Sequence, residues 1–456
     1  MLRDHHVIAL ALAVVIGTVT APVAVVGIAA VLVVARAPSR VVVLAVALGL
    51  TGSALGVRAW HDAVPRRLGI HRGWVELADD PVPRGSGLRV TFEIEGERFD
   101  AWCYGRWRGV FDDRQAGDRA WVELERQPLP PDDRRRAALR HVVGRVTLVA
   151  VGDVIEGDAL ARSANRVRSA LRRAAERSMA DADAALFTGL VIGDDRRQPP
   201  AVVEQFRAAG LSHLTAVSGQ NVAYLLAAAG PLLRRLRPWS RWAVTLALIG
   251  WFMVATRFEP SVVRAGAMGV LAATAFVSGR QARPVRLLAL AVIVLVLVDP
   301  LLAWSVGFWL SVGATAGVCV LAPRLEPHLP GPGWLRAPLA VTLGAQAGVA
   351  LPSVLVFGRL PVMALPANLL AVPVAGFVML CGLPAGLVAN VLPGIAGRLV
   401  MLPAAAGTRW VGLVAAVAAA LEPSGGWSIV AWGLVVVTLA SYSARRWRHP
   451  RPRVPI

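Results

Sequence analysis

The residues of this chain best suited to chemistry lie together at His213, Ser218, Gly219, Gln220 and Asn221, early in an apolar stretch from Leu211 to Leu233. A hydroxyl and two amides at membrane depth are costly unless they face protein or water. One reading is a polar break that lines a path or a site. The other is a helix-packing motif of small residues whose amides are satisfied by neighbouring helices. An intramembrane serine protease, with Ser218 as nucleophile, is the remote alternative, because it needs a base. His213 is the one histidine in an apolar stretch; the others are His5, His6, His61, His71, His141, His328 and His449. On a continuous helix it would sit about 140° away from Ser218, so only an unwound segment would join the pair.

Other polar side chains fall in or near apolar stretches. Arg264 follows Pro260-Ser-Val-Val, flanked by Arg257 and Glu259, and a charge there is a functional candidate or a side chain snorkelling to the outer interface. Asp299 closes a strongly apolar run, either as an acceptor for Arg264 or simply as the helix end. Arg409 lies ten residues into its stretch, and Gln346 and Asn368 complete the set.

The elements that must position these groups are membrane helices. The 456 residues are 56% hydrophobic and 17% charged, and several stretches reach the ~20 residues a bilayer requires. All 48 basic residues are Arg. Without Lys, the chain holds no Walker-type ATPase, Schiff-base or lysine-nucleophile chemistry. The net charge of +19 is unevenly placed: residues 58–210 hold 26 Arg against 24 acids, so the excess belongs to the apolar regions. Much of it is a positive-inside signal, and the remainder favours a polyanion in a pore. Cys103, Cys319 and Cys381 form no CxxC or Cys/His cluster, so no metal site is readable and no cofactor is expected.

Along the chain, residues 1–57 read as a membrane anchor with spans near 7–20, 22–35 and 41–57, retained rather than cleaved after Thr20-Ala-Pro. Residues 58–157 change to short alternating runs such as Leu88-Arg-Val-Thr-Phe-Glu-Ile, separated by turns at Gly85-Ser-Gly and Glu95-Gly-Glu. That pattern predicts a small barrel or sandwich, and its size suits a five-stranded OB-like barrel. Residues 158–207 predict an amphipathic helical connector. Leu160, Ala164, Val167, Leu171 and Ala174 make its apolar stripe, and Arg162, Arg166, Arg168, Arg172, Arg173 and Arg177 cover the rest. Such a face meets anionic lipid or a phosphate backbone, or is a solvated face packed on the membrane domain. Residues 208–443 carry further spans near 211–233, 241–256, 261–278, 286–304, 306–322, 337–357, 361–391, 399–421 and 427–442. The overlong 361–391 stretch, with Pro366, Pro373 and Pro384, is expected to be broken or a re-entrant pair. Residues 444–456 form a basic tail. The fold class is thus a polytopic α-helical membrane protein of about 11–12 spans with an inserted extracellular β domain. Short-loop arginines (Arg234 to Arg241, Arg280 to Arg286, Arg324 and Arg336, Arg398, and the tail) put residues 58–210 outside and both termini in the cytoplasm.

The order of several motifs resembles the ComEC family of competence channel proteins: Leu186-Phe-Thr-Gly-Leu-Val-Ile-Gly-Asp, Phe206 to Asn221, Pro260-Ser-Val-Val-Arg-Ala, Asp299-Pro-Leu-Leu, Val306-Gly-Phe-Trp-Leu-Ser and Leu365-Pro-Ala-Asn-Leu-Leu. The resemblance covers about residues 65–390. It implies passage of single-stranded DNA across the cytoplasmic membrane in natural transformation. It also implies Ser218, Gly219, Arg264, Asp299, Phe308, Ser311 and Asn368 as channel or core-motif positions, joined here by Gln220, Asn221 and Gln346. The family's Ser-Gly-Leu-His is Ser218-Gly-Gln-Asn in this chain. No metallo-β-lactamase-like run (His-x-His-x-Asp-His) occurs, so no metal site and no nuclease or other enzyme activity is expected. The partners implied are single-stranded DNA, membrane lipid, a DNA receptor, a cytoplasmic ATPase or helicase, and a separate nuclease. Arg162, Arg166, Arg172, Arg173, Trp102 and Trp107, with Phe92, Tyr104 and Trp121, are candidate DNA contacts through charge and stacking, the aromatics having a core role as the alternative. A polytopic transporter or membrane scaffold for another substrate is the alternative function.

Overall fold

A computed structural model describes residues 3–20, 23–215, 219–281, 283–358, 360–392, 394–423, 430 and 432–434. The chain divides into two compact units, Met1–Ala170 with Leu226–Ser305, and Leu171–Leu225 with Val306–Ile456. In the first, three apolar helices open the chain: α1 (Asp4–Val19), α2 (Val23–Val34) and α3 (Ser39–His61). They fall in the three stretches expected as spans before residue 58, of which α3 alone is long and apolar enough to cross a membrane. Arg36 at positive φ and Pro38 separate α2 from α3. α1 and α3 meet through glycine: a Cβ added at Gly52 would lie 2.6 Å from the Val14 carbonyl oxygen, and one at Gly56 2.6 Å from that of Thr18. Without a hydrophobic drive between helices in lipid, such close backbone approach is what holds them together.

The polar segment folds as β1 (Gly69–Leu77), β2 (Val82–Arg84), β3 (Gly87–Ile94), β4 (Glu97–Cys103), α4 (Arg106–Phe111), β5 (Arg119–Pro128), α5 (Pro131–Ala138) and β6 (Val142–Ile155). The six strands are ordered β1-β5-β6-β4-β3-β2, and β1 also pairs with β3. Every pairing is antiparallel except β4 with β6. Alternation fixes the buried face: Ala120, Val122 and Leu124 of β5 point inward while Arg119, Trp121 and Glu125 point out. Phe92 and Phe99 face each other across β3 and β4, and Phe92 meets Phe111 of α4 edge-on at 5.4 Å. With Leu77, Leu88, Ile94 and Leu124 they form a core of the sheet's own.

Helices follow: α6 (Ala159–Ser178), α7 (Asp181–Ile192), α8 (Pro200–Ala208), α9 (Ser212–Thr215), α10 (Gly219–Leu233), α11 (Pro238–Ala255), α12 (Pro260–Val277) and α13 (Pro284–Val298). A 3-10 turn, Pro300–Trp304, leads to α14 (Val306–Val320), the short α15 (Ala322–Leu325), α16 (Gly333–Phe357), α17 (Ala364–Val391) and α18 (Gly394–Leu421). Among the described residues six helical segments are long and apolar enough to cross a membrane, those built on α3, α12, α14, α16, α17 and α18, and α1, α2 and α13 are apolar but shorter.

One expectation is corrected. The 361–391 stretch is neither broken nor re-entrant; α17 runs unbroken from Ala364 to Val391 despite Pro373 and Pro384. Neighbouring helices brace it, with Tyr224 packed over Gly376 and Phe187 over Gly382. The span expected at 427–442 and the basic tail lie almost wholly outside the described residues.

Candidate functional site

In the second unit, Asn221 near the start of α10 is buried and donates its Nδ2 to the Leu190 carbonyl, 3.1 Å away. This bond joins the Leu186–Asp194 motif to the Gly219–Asn221 motif. Gly219 begins α10, Gln220 is exposed, and Ser218 lies outside the described residues. Beside them Gln198 is buried, with neither polar atom of its amide paired among the described residues. Its Nε2 occupies the space a side chain at Gly189 would need, next to the Thr215 carbonyl. No pattern in the sequence singled out Gln198; the bare Gly189 opposite it is the one trace.

Phe308 is fully buried on α14 against Trp309, and Ser311 stands one turn further along the same helix, half-buried. Gln346 is buried on α16, its Oε1 unpaired among the described residues. α14 and α16 pack backbone to backbone at Gly313, Gly317, Gly344 and Gly348. Asn368 returns its amide to the Ala364 carbonyl at 2.7 Å, in the first turn of α17. Arg409 of α18, largely exposed in its helical stretch, reaches Asp183 of α7 at 3.2 Å.

In the first unit, Arg264 is buried on α12, with Nη1 3.5 Å from the Met268 sulfur. Asp299 ends α13 and caps the following turn, accepting from the Leu301 N–H at 3.1 Å. Its other oxygen lies 3.1 Å from Nε2 of His141, a partner 158 residues away in the sheet segment that sequence spacing could not show.

The sheet segment is anchored by a buried ionic cluster. Asp80 accepts from the Ala116 N–H at 2.9 Å, from Arg168 at 2.8 Å and from Arg257 at 2.7 Å. Arg257 also donates to Asn165 of α6, and Arg168 to the Ala255 carbonyl. Arg168 therefore belongs to the interior, not to the basic face on which helical spacing set it. Arg166 and Arg173 are exposed, Arg162 bonds the Gly157 carbonyl, and Arg172 lies 4.0 Å from Glu176.

The aromatic candidates separate. Phe92 is core, and Trp107 packs on that core with the Arg106 guanidinium 4.1 Å over its ring. Trp102 is half exposed, directly across from Arg89 on the outer face of β3 and β4, and Tyr104 is exposed beside Gly87. Trp121 is exposed opposite Trp74, which the sequence reading passed over although it stands at the alternating position of β1. Burial pushes the Cys103 thiol up to about 12, so no thiolate nucleophile arises there near neutral pH. Among the described residues no group of three or more His, Cys, Asp or Glu could hold a metal ion.

A family model described as "Competence protein" matches residues 190–447, more than half of the chain. The chain is 31% identical over 218 residues to ComE operon protein 3 of Bacillus subtilis (strain 168). That alignment covers 47% of this chain and 27% of the relative, so the chain spans about a quarter of the curated protein it matches. No solved structure matches.

Proposed function

This chain belongs to the competence protein family of the ComEC kind, and on that premise we propose that it is a membrane channel component through which single-stranded DNA enters the cell. The observation that carries the reading is the extent of the family match, which runs from the end of α7 through α18 and so takes in Asn221, Arg264, Asp299, Phe308, Ser311, Gln346 and Asn368. In this reading buried Arg264 neutralises phosphate within the membrane, and Asn221, Gln346 and Asn368 are polar channel or core positions.

The sheet segment is read as an OB-like barrel outside the membrane. In support, its pairings run β1–β5–β6–β4–β3 and return to β1, with a single parallel pair, the order expected of a five-stranded OB barrel with β2 appended. The outward orientation draws support from contacts within the first unit. His141 meets Asp299 at the end of α13, Asp80 meets Arg257 before α12, and Trp60 at the end of α3 meets Trp304 at 5.8 Å. Asp4, at the start of α1, pairs with Arg283 before α13, at the opposite ends of those helices. With arginine-rich loops inside, the sheet is then extracellular. Trp102, Tyr104 and the arginines around them suit a single strand, which binds by stacking and charge. A receptor would deliver the DNA, and a cytoplasmic ATPase or helicase would supply the energy.

The test is deletion of the gene, followed by uptake of labelled duplex DNA scored as nuclease-protected label beside surface binding. Lost protection with retained binding is the expected result. Unchanged protection in a strain that takes up DNA would overturn the channel reading in favour of a transporter or scaffold for another substrate.

A further inference from the structure

Residues 171–192 of the second unit do not behave as a surface connector. Leu171 of α6 is fully buried, and its side chain occupies the space over Gly386 of α17, where any Cβ would collide with it. Two turns on, Arg177 donates to Oδ1 of Asn390 at 3.2 Å, and its own carbonyl accepts from Nε of Arg398 at 3.1 Å. The last turn of α6 is therefore bonded to both sides of the α17–α18 turn. α7 then runs back. Every residue from Ala184 to Ile192 is buried, and none is charged. Phe187 and Val191 pack against Gly382, and Leu186 against Gly412 of α18. Asp183 holds Arg409. The contacts on α17 extend from Gly382 to Asn390, about 12 Å along the helix axis. α17 and α18 are both long and apolar enough to cross a membrane.

We propose that residues 171–192, the last turns of α6 and all of α7, form a helical hairpin inserted into the membrane layer alongside α17 and α18, with the tip at residues 178–181 reaching the side of the α17–α18 turn. A run of nine buried, uncharged residues packed against membrane spans, Ala184 to Ile192, belongs at their depth. The consequence lies in the arginines. Arg173 is exposed on α6 between Leu171 and Arg177. A guanidinium at that depth is tolerated only against water or a counter-charge. The neighbouring carboxylate, Glu176, is already engaged by Arg172 and by Arg197 at 3.3 Å. Arg173 therefore faces an aqueous path and presents a phosphate-binding group to it. The hairpin stands on packing alone; that its ligand is the phosphate backbone of a single strand rests on the function proposed above.

The test uses the full-length protein in the membrane, with Cys103, Cys319 and Cys381 replaced by Ala. Single cysteines are placed by Ala180→Cys at the tip and by Gly394→Cys at the α17–α18 turn, and each is labelled with a membrane-impermeant maleimide from either side. The expected result is that A180C labels from the same side as G394C. Labelling of A180C from the other side, or from neither side, overturns the hairpin. In a second arm, Arg173→Cys is treated with a charged methanethiosulfonate, which needs water and thiolate, in the presence and absence of a single-stranded oligonucleotide. Reaction that the oligonucleotide slows several-fold is expected. No reaction overturns the aqueous path. Reaction that the oligonucleotide leaves unchanged keeps the hairpin and overturns DNA as its ligand.

Discussion

Two adjacent aspartates in the sheet segment face opposite electrostatic conditions. Asp80 is buried but receives two guanidinium groups and a backbone N–H. Breaking a buried ion pair from one side costs about 3–5 kcal/mol, because the remaining charge stays in a low-dielectric site. Asp80→Ala is therefore expected to lower the thermal midpoint of the detergent-solubilised protein by many degrees, followed by tryptophan fluorescence; an unchanged midpoint would contradict the role of the cluster. Asp79 is half-buried, and desolvation, with Asp80 adding to it, lifts its carboxyl above the ordinary 3.8 although Arg98 and Arg140 oppose the shift. A carboxyl with a raised folded pKa binds its proton more tightly in the native state. Its contribution to stability is present at low pH and is lost as pH rises through the folded value. Asp79→Asn should thus raise the midpoint at pH 7 relative to the parent, with the gain vanishing as pH falls towards 4, read from unfolding at a series of pH values. Neither behaviour was legible beforehand. Helical spacing assigned Arg168 to a solvated face, and nothing local to residue 168 reports an aspartate 88 positions earlier in the chain.

At the scale of elements, periodicity did better where a helix or strand owes its form to its own residues. The three N-terminal helices and the alternating strands, with β5 presenting Trp121 outward and Val122 inward, follow from local pattern. α17 did not, because its continuity depends on Tyr224 and Phe187 from other helices, and proline carries opposite meanings in a solvated loop and a braced helix. The same dependence on neighbours governs α14 and α16. A Cβ at Gly317 would run into the Gly344 carbonyl oxygen, and one at Gly313 into that of Gly348. Backbone cannot yield as a flexible side chain does, so overpacking here should cost about 1–3 kcal/mol. Gly317→Val is expected to lower the thermal midpoint accordingly, whereas Gly250→Val, on α11 where an added Cβ meets nothing within 4 Å, should leave it nearly unchanged. Equal midpoints for the two variants would remove close glycine packing as the device that joins α14 to α16.

For the whole molecule, the net charge of +19 misleads if read as one number, since residues 58–210 are almost neutral. A strand binding this chain would then meet two kinds of surface. On the sheet segment, Trp102 and Tyr104 offer stacking faces beside scattered arginines; on α6, exposed Arg166 and Arg173 offer charge with no aromatic among that helix's residues. Stacking and charge respond differently to salt. Stacking is worth about 1–3 kcal/mol per base and is indifferent to counterions, whereas each phosphate neutralised on a single strand adds about 0.7 to the slope of log affinity against log salt. Binding of a fluorescent single-stranded oligonucleotide to the purified full-length protein, titrated at several salt concentrations, separates the two. Trp102→Ala is expected to weaken binding by a similar factor at every salt concentration and to keep the slope. Arg173→Gln is expected to flatten the slope by about 0.7 and to matter least at high salt. A slope unchanged by Arg173→Gln would remove that arginine from the DNA path. A Trp102→Ala effect that disappears at high salt would mean that the sheet segment attracts DNA through charge alone, without stacking its bases.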